Sequence, residues 1–226
     1  MNVPFYLFAA QQTQLFYIWS NSTLESKIII VFLLFFSMFA WSVMVSKGLQ
    51  MRRARQYNQF FEAEFRAQKN VLGIFDRRIQ VEGCPMFTVY QDGCLELDSR
   101  LRQGQSEEEG RKKYISLKSM EHIKRTLEGS VARESLKLES GIILLAIAVA
   151  GAPFLGLLGT VWGVMDTFAA GGQAGKADLQ TMAPGVSAAL VTTVAGLLVA
   201  IPSMFGYNWL VHNLRVRTVE LDNFAQ

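Results

Sequence analysis

Two threonines lie among small residues at helical spacing, in two uncharged stretches of this sequence. In the first stretch the residues that share a helix face are Pro153, Gly156, Thr160 and Gly163, with Gly159 beside them. In the second they are Gly185, Ala189, Thr193, Gly196 and Ala200, with Thr192 beside Thr193. Each helix face thus combines small side chains with a hydroxyl group.

Hydroxyl groups on such faces allow two interpretations. Thr160, Thr193 and the neighbouring Thr192 could line an ion path, relaying a proton or coordinating a cation. Alternatively, each hydroxyl bonds the carbonyl one turn earlier, while the small residues only let two helices pack closely. A hydroxyl holds no charge near neutral pH, so an ion path would also need an ionisable group.

Asp166 is the acid nearest to the interior of either stretch, and it falls towards the end of the first one. We interpret it as an interfacial residue or as an acid that attracts cations to a pore mouth. Neither stretch has a carboxylate at its middle. If ions cross here, a partner chain is therefore expected to bring the charge carrier.

The distribution of charge predicts a membrane protein. Residues 47–139 hold 18 of the 22 Lys and Arg and 14 of the 19 acidic residues. Three runs elsewhere are uncharged: 28–45, 141–165 and 183–211. At about 1.5 Å per residue, each run nearly spans or exceeds a hydrocarbon layer of about 30 Å. The sequence therefore predicts an all-α integral membrane protein with three transmembrane helices that extend into a helical cytoplasmic domain.

Basic residues set the predicted orientation. Lys47 and Arg52 follow the first run, Lys137 precedes the second, and Arg215 follows the third. The positive-inside rule then places the N-terminus outside. The predicted segments are an external N-terminal interfacial helix at 1–26, transmembrane helices at 27–46, 140–166 and 183–212, a cytoplasmic helical loop at 47–139, an external turn at 167–182 and a cytoplasmic tail at 213–226.

The cytoplasmic loop is predicted to contain an amphipathic helix. The residues that share its apolar face are Met120, Ile123, Leu127, Val131 and Leu138. Because no proline lies between Gly110 and Ala152, we expect this helix to run unbroken into the second transmembrane helix.

No pattern typical of an enzyme is present in the sequence. His122 and His212 have no Cys or carboxylate at metal-ligand spacing, and Cys84 and Cys94 complete no zinc pattern and are expected to be reduced thiols. The stretch 171–177 only faintly matches a phosphate-binding loop. A net charge of +3 with interspersed acids gives no nucleic-acid surface. We therefore predict no catalytic residue, metal, nucleotide or other cofactor.

Two longer motifs carry a family resemblance. The stretch 152–168, APFLGLLGTVWGVMDTF, resembles the second-span signature of the MotA, TolQ and ExbB proton-channel subunits, most closely TolQ and ExbB. The stretch 179–208 is similar to their third span, and the predicted topology matches as well. The resemblance implies a pore-forming ring subunit of a bacterial inner-membrane motor. The proton-motive force would drive it, and it would pass energy to envelope or outer-membrane partners.

The resemblance also implies partners and roles. Five subunits would surround two copies of a single-span protein of the TolR or ExbD type, whose transmembrane Asp carries the proton. A periplasm-spanning protein of the TolA or TonB type would receive the energy. The family's two pore threonines correspond to Thr160 and Thr193, and the external side becomes the periplasm.

One departure from the family pattern concerns the third span. Family members usually carry a Glu where this sequence has Ala188. The departure puts in doubt any mechanism that needs this carboxylate and leaves open an ion other than the proton. Two other functions remain as alternatives, a subunit of a secondary transporter for a small solute and a passive membrane scaffold.

Overall fold

The computed structural model describes residues 23–68, 70–77, 81–105, 116–173 and 178–226, and in these residues it contains helices and no strand. The five α-helices are α1 (Leu24–Ala67), α2 (Pro85–Gln105), α3 (Leu117–Glu139), α4 (Ile142–Gln173) and α5 (Leu179–Ala225). A 3-10 turn lies at Phe75–Arg77. Most of the predicted N-terminal interfacial helix, residues 1–22, lies outside the described residues.

Three of the helices, α1, α4 and α5, are long and apolar enough to cross a membrane. Their apolar stretches coincide with the three uncharged runs of the sequence, so the predicted fold class is confirmed. Both α1 and α5 continue well beyond those runs, to Ala67 and Ala225. The predicted positions at which the chain enters and leaves the membrane stay predictions.

The expected unbroken helix from the charged loop into the second apolar run is wrong. Helix α3 ends at Glu139, and α4 begins at Ile142. Between them the N–H of Ser140 donates to the carbonyl of Leu136 at 2.9 Å, and Gly141 adopts a φ of +83°. Glycine takes this left-handed conformation without the steric cost that other residues meet, so it ends a helix without any proline.

Parts of the predicted external turn at 167–182 are helical. Helix α4 continues to Gln173 and α5 starts at Leu179, so both ends of the predicted turn are helical. Ala169 and Ala170 favour continuation of α4, and the helix also includes Gly171 and Gly172, which by themselves disfavour it. Residues 174–177, where the faint phosphate-loop motif ends, lie outside the described residues.

The chain divides into two compact units, Met1–Met44 with Ile143–Tyr207 and Val45–Ile142 with Asn208–Gln226. One buried cluster of the first unit joins its three long helices. It consists of Leu33 of α1, Ala152 of α4, and Val199 and Ala200 of α5. Two of these four side chains are single methyl groups, which lets the helices of this unit approach closely.

The second unit has an aromatic core. Its rings come from α1, α2 and α5: Phe61, Phe65, Phe87, Tyr90 and Phe224. Phe61 meets Phe87 edge-on at 5.6 Å between ring centroids, and Phe65 meets Phe224 at 5.3 Å. Edge-to-face contacts of this kind stabilise a core beyond the area that they bury.

Polar side chains fix the connection between α1 and α2. The hydroxyl of Tyr90 donates to the carbonyl of Val71 at 2.5 Å and accepts from the N–H of Phe75 at 3.0 Å. Asn58 accepts from the N–H of Met86, in the first turn of α2, at 3.2 Å. Burial raises the pKa of Tyr90 to about 12, so its hydroxyl stays neutral and keeps its proton for Val71.

We predict that Gly141→Ala lowers the free energy of unfolding by about 1 kcal/mol, because a side chain at positive φ is strained. Thermal unfolding of the detergent-purified protein would measure the change. Gly129→Ala is the matched control, since the nearest atom to the new methyl group is 3.7 Å away and alanine favours a helix. Equal unfolding temperatures for both variants would contradict the strained turn.

We predict that Cys84 and Cys94 react slowly with maleimide at pH 7.5 in the folded protein. Both are free and buried, and burial raises the pKa of each thiol, so the reactive thiolate is scarce. Unfolding in denaturant should speed the labelling about tenfold or more, because it exposes both thiols and returns their pKa values towards the ordinary one. Rapid labelling of two thiols per folded chain, counted by mass spectrometry, would disprove the buried placement.

Candidate ion-path site

Helices α4 and α5 approach to backbone contact. A Cβ atom added to Gly196 would lie 2.5 Å from the carbonyl oxygen of Ala152, and one added to Gly156 would lie 2.9 Å from that of Thr192. Real Cβ atoms essentially never come this close to a backbone atom. Glycine at these two positions is therefore required by the helix packing.

The remaining glycines of the predicted small-residue faces lie in the same interface. A Cβ at Gly159 would meet the hydroxyl of Thr192 at 2.5 Å, and one at Gly163 would meet the Cβ of Ala189 at 2.8 Å. Gly185 of α5 packs in the same way against Thr167 of α4. The structure thus brings the two predicted faces together, while Pro153 stays half-buried beside them.

Thr192 is completely buried between these helices. Its hydroxyl lies 2.6 Å from the carbonyl oxygen of Ala189 and 3.0 Å from that of Gly156. A hydroxyl has a single proton, which these two acceptors share. In this chain Thr192 therefore links α5 to α4, and its oxygen is shielded from the surface.

Thr160 and Thr193 form a hydroxyl pair that remains partly exposed. The hydroxyl of Thr160 donates to the carbonyl of Leu157 at 2.7 Å, so its oxygen is free to accept. The hydroxyl of Thr193 has two acceptors in reach, the carbonyl of Gly156 at 3.1 Å and the oxygen of Thr160 at 3.4 Å. The single proton of Thr193 can thus be donated to either of two oxygens on α4.

Asp166 does not join this pair. It is half-buried on α4, six residues after Thr160. Six helical residues correspond to a rise of about 9 Å and a rotation of about 240°, so Asp166 and Thr160 lie on different sides of α4. Asp166 is therefore not placed to exchange a proton directly with the two hydroxyls.

Two further hydroxyl groups lie near this interface. Thr167 donates to the carbonyl of Gly163 at 2.7 Å, and its spacing of seven from Thr160 could have revealed it in the sequence. Ser26 of α1 is almost fully buried and lies 3.4 Å from where a Cβ of Gly163 would be. Its proximity to α4 depends on the packing of α1, which no sequence spacing encodes.

Ala188, the position at which the resemblance implies a Glu, is 2% exposed. A methyl group needs no hydrogen-bond partner there, whereas a carboxylate would have to be paired or protonated. The part of the chain that the structure describes also contains no cluster of three His, Cys, Asp or Glu that could hold a metal ion.

Comparison with known proteins identifies the family. The model of the MotA/TolQ/ExbB proton channel family matches residues 97–223, which include both α4 and the threonines of α5. The chain belongs to this family. Its apolar helices and its family together make it a membrane protein.

Individual relatives carry the names TolQ and ExbB. TolQ of Haemophilus influenzae, a Tol-Pal system protein, is 30% identical over 210 residues, covering 89% of this chain and 85% of that protein. The biopolymer transport protein ExbB of Neisseria meningitidis is 29% identical over 199 residues, 87% of each chain. ExbB of Xanthomonas campestris is 43% identical over 110 residues, but that match spans only 49% of this chain and 44% of the relative.

We predict that Gly196→Ala lowers the free energy of unfolding by about 1–3 kcal/mol, because the added methyl group would press on the backbone of Ala152. Gly151→Ala is the matched control on α4, since its Cβ would meet no atom within 4 Å. Thermal unfolding in detergent measures both. The close packing of α4 and α5 would be wrong if the two variants unfolded at the same temperature as the parent protein.

Proposed function

We propose that this chain is the pore-forming ring subunit of an ion-driven motor in the bacterial inner membrane. In this role several copies surround a single-span partner of the TolR or ExbD type. Ion flow through the ring passes energy to a periplasm-spanning protein of the TolA or TonB type. Family membership supports the channel role, and the names of the relatives support the choice of partners.

The observation that carries the proposal is the hydroxyl pair of Thr160 and Thr193. Both side chains are partly exposed at the α4–α5 interface, and their oxygens lie 3.4 Å apart. The proton of Thr193 has two alternative acceptors, Gly156 and Thr160. A hydroxyl that can exchange acceptors is suited to passing a proton to or from a nearby carboxylate.

The carboxylate has to come from another chain in this mechanism. Asp166 lies on a different side of α4 from Thr160, and Ala188 stands at the position where the family resemblance implies a Glu. Ionisable groups inside a membrane are costly and are retained where they serve transport. A single-span partner with one transmembrane Asp would supply the missing charge carrier without burying a charge in every ring subunit.

The proposed orientation follows from the basic residues that flank the apolar runs. Lys47 and Arg52 follow the first run and Arg215 follows the third, so the N-terminus is periplasmic and the second unit is cytoplasmic. With protons as the coupling ion, one charge that crosses 100 mV releases about 2.3 kcal/mol. A few protons therefore supply enough energy to step a ring between equivalent positions.

We predict that Thr160→Val and Thr193→Val each leave the ring assembled but abolish proton transport. Valine keeps the shape of threonine but has no hydroxyl to accept or donate a proton. The protein would be co-expressed with its single-span partner. Native mass spectrometry then measures assembly, and proton uptake by proteoliposomes measures transport.

The matched control for this test is Thr192→Val. It removes the same group from the neighbouring residue, which is completely buried and bonds only backbone carbonyls. We expect a stability loss of about 1 kcal/mol and retained transport. Full transport in both test variants disproves the pore assignment, and no transport by the parent protein would favour a passive scaffold. Solute uptake without a proton current would favour a transporter, and equal failure of all three variants would point to helix packing.

A further inference from the structure

The apolar face of α3 is only partly covered by the rest of the chain. Val131 and Leu138 are buried, and Leu127 packs against the aromatic core of the second unit. Towards the N-terminus of α3 the same face continues, but Met120 is 51% exposed and Leu117 is 89% exposed. About three turns of this helix therefore lack a complete partner.

A groove of about 920 Å³ runs along this stretch, between α3 and the C-terminal end of α5. Its floor is formed mainly by the apolar side chains of α3, including Met120 and Ile123. At its inner end, Leu127 and Ala225 pack directly against the aromatic core. The groove is thus a continuation of the core that the described residues leave open.

The rim of the groove is acidic. Glu121, Glu128 and Asp222 lie along it, against one cation, Lys124. The ion pairs Glu121–Arg125 at 3.4 Å and Lys124–Glu128 at 4.0 Å are exposed to solvent, so each is weak and can be replaced by a pair with another chain. Asp222 forms no ion pair within the part of the chain that the structure describes. The rim therefore presents negative charge to whatever lies in the groove.

We propose that this groove binds a short amphipathic helix of another protein, with apolar side chains towards α3 and several Lys or Arg towards the rim. Helix-in-groove recognition uses apolar anchors spaced three or four residues apart, which suits a floor with the same spacing. Opposite charges on the rim select and orient the partner. An acidic rim disfavours phosphate groups, so neither a lipid headgroup nor a nucleic acid fits as well.

The stretch from Leu117 to Glu128 fixes the size of the occupant. At about 1.5 Å per residue it is about 17 Å long, which matches a helix of about three turns. This inference does not depend on Thr160 or Thr193. Loss of the groove's partner and loss of proton transport are therefore separate outcomes.

Photo-crosslinking in living cells tests the proposal. The photoreactive amino acid p-benzoylphenylalanine replaces Met120 in the full-length protein, and Leu136 is the control position. Leu136 lies on the same helix and is 65% exposed, but it is not part of the groove. We expect an adduct from position 120 alone, and peptide mapping should place it in a segment with several basic residues at helical spacing.

A second variant tests the charge complementarity. Combining Glu121→Gln, Glu128→Gln and Asp222→Asn should lower the adduct yield about tenfold, whereas Glu62→Gln with Glu64→Gln should leave it unchanged. Four of these carboxylates are exposed and Glu62 is half-buried, and the thermal unfolding temperature checks the fold of each variant. The proposal would be overturned if no adduct formed, or if the adduct contained a second copy of this chain or a segment without basic residues. It would also be overturned if the charge-neutralising substitutions left the adduct yield unchanged.

Discussion

The hydrogen bonds that Thr192 and Thr193 can form to α4 depend on backbone contact between α4 and α5. The carbonyl of Gly156 lies within hydrogen-bond distance of the hydroxyls of both Thr192 and Thr193, which is feasible because no side chain separates the helices there. Gly196 allows the same approach on the other helix. If a methyl group at either glycine pushed the two helices apart, Thr193 would lose both of its acceptors on α4.

The helices of the two units pack through different kinds of side chain. In lipid, apolar side chains gain little by meeting each other, so α4 and α5 rely on close van der Waals contact between small residues. In water, burial of large apolar surfaces drives association, and the second unit accordingly buries Phe61, Phe87 and Tyr90 in one cluster. Each packing style thus suits the solvent that its segments are predicted to meet.

In the proposed mechanism, hydroxyl groups suit a proton path for a simple energetic reason. A threonine can complete its hydrogen bonds within its own helix, as Thr160 does with Leu157, and so costs little in a membrane. It still offers an oxygen that can accept a proton. In the proposed ring, the costly charged group would then be needed only on the central partner and not in every ring subunit.

The sequence by itself determined the three apolar helices, the all-α class and the faces that carry Thr160 and Thr193, because these follow from hydrophobic run length and helical period. Tertiary structure alone decided that Thr192 is sealed between two helices while Thr193 remains accessible. The two threonines are neighbours on α5, so the sequence alone does not distinguish them. Only the position of α4 determines which of the two hydroxyls is buried. The break at Gly141 was missed for a related reason: a glycine is compatible with a helix or with its end, and the surrounding packing selects the conformation.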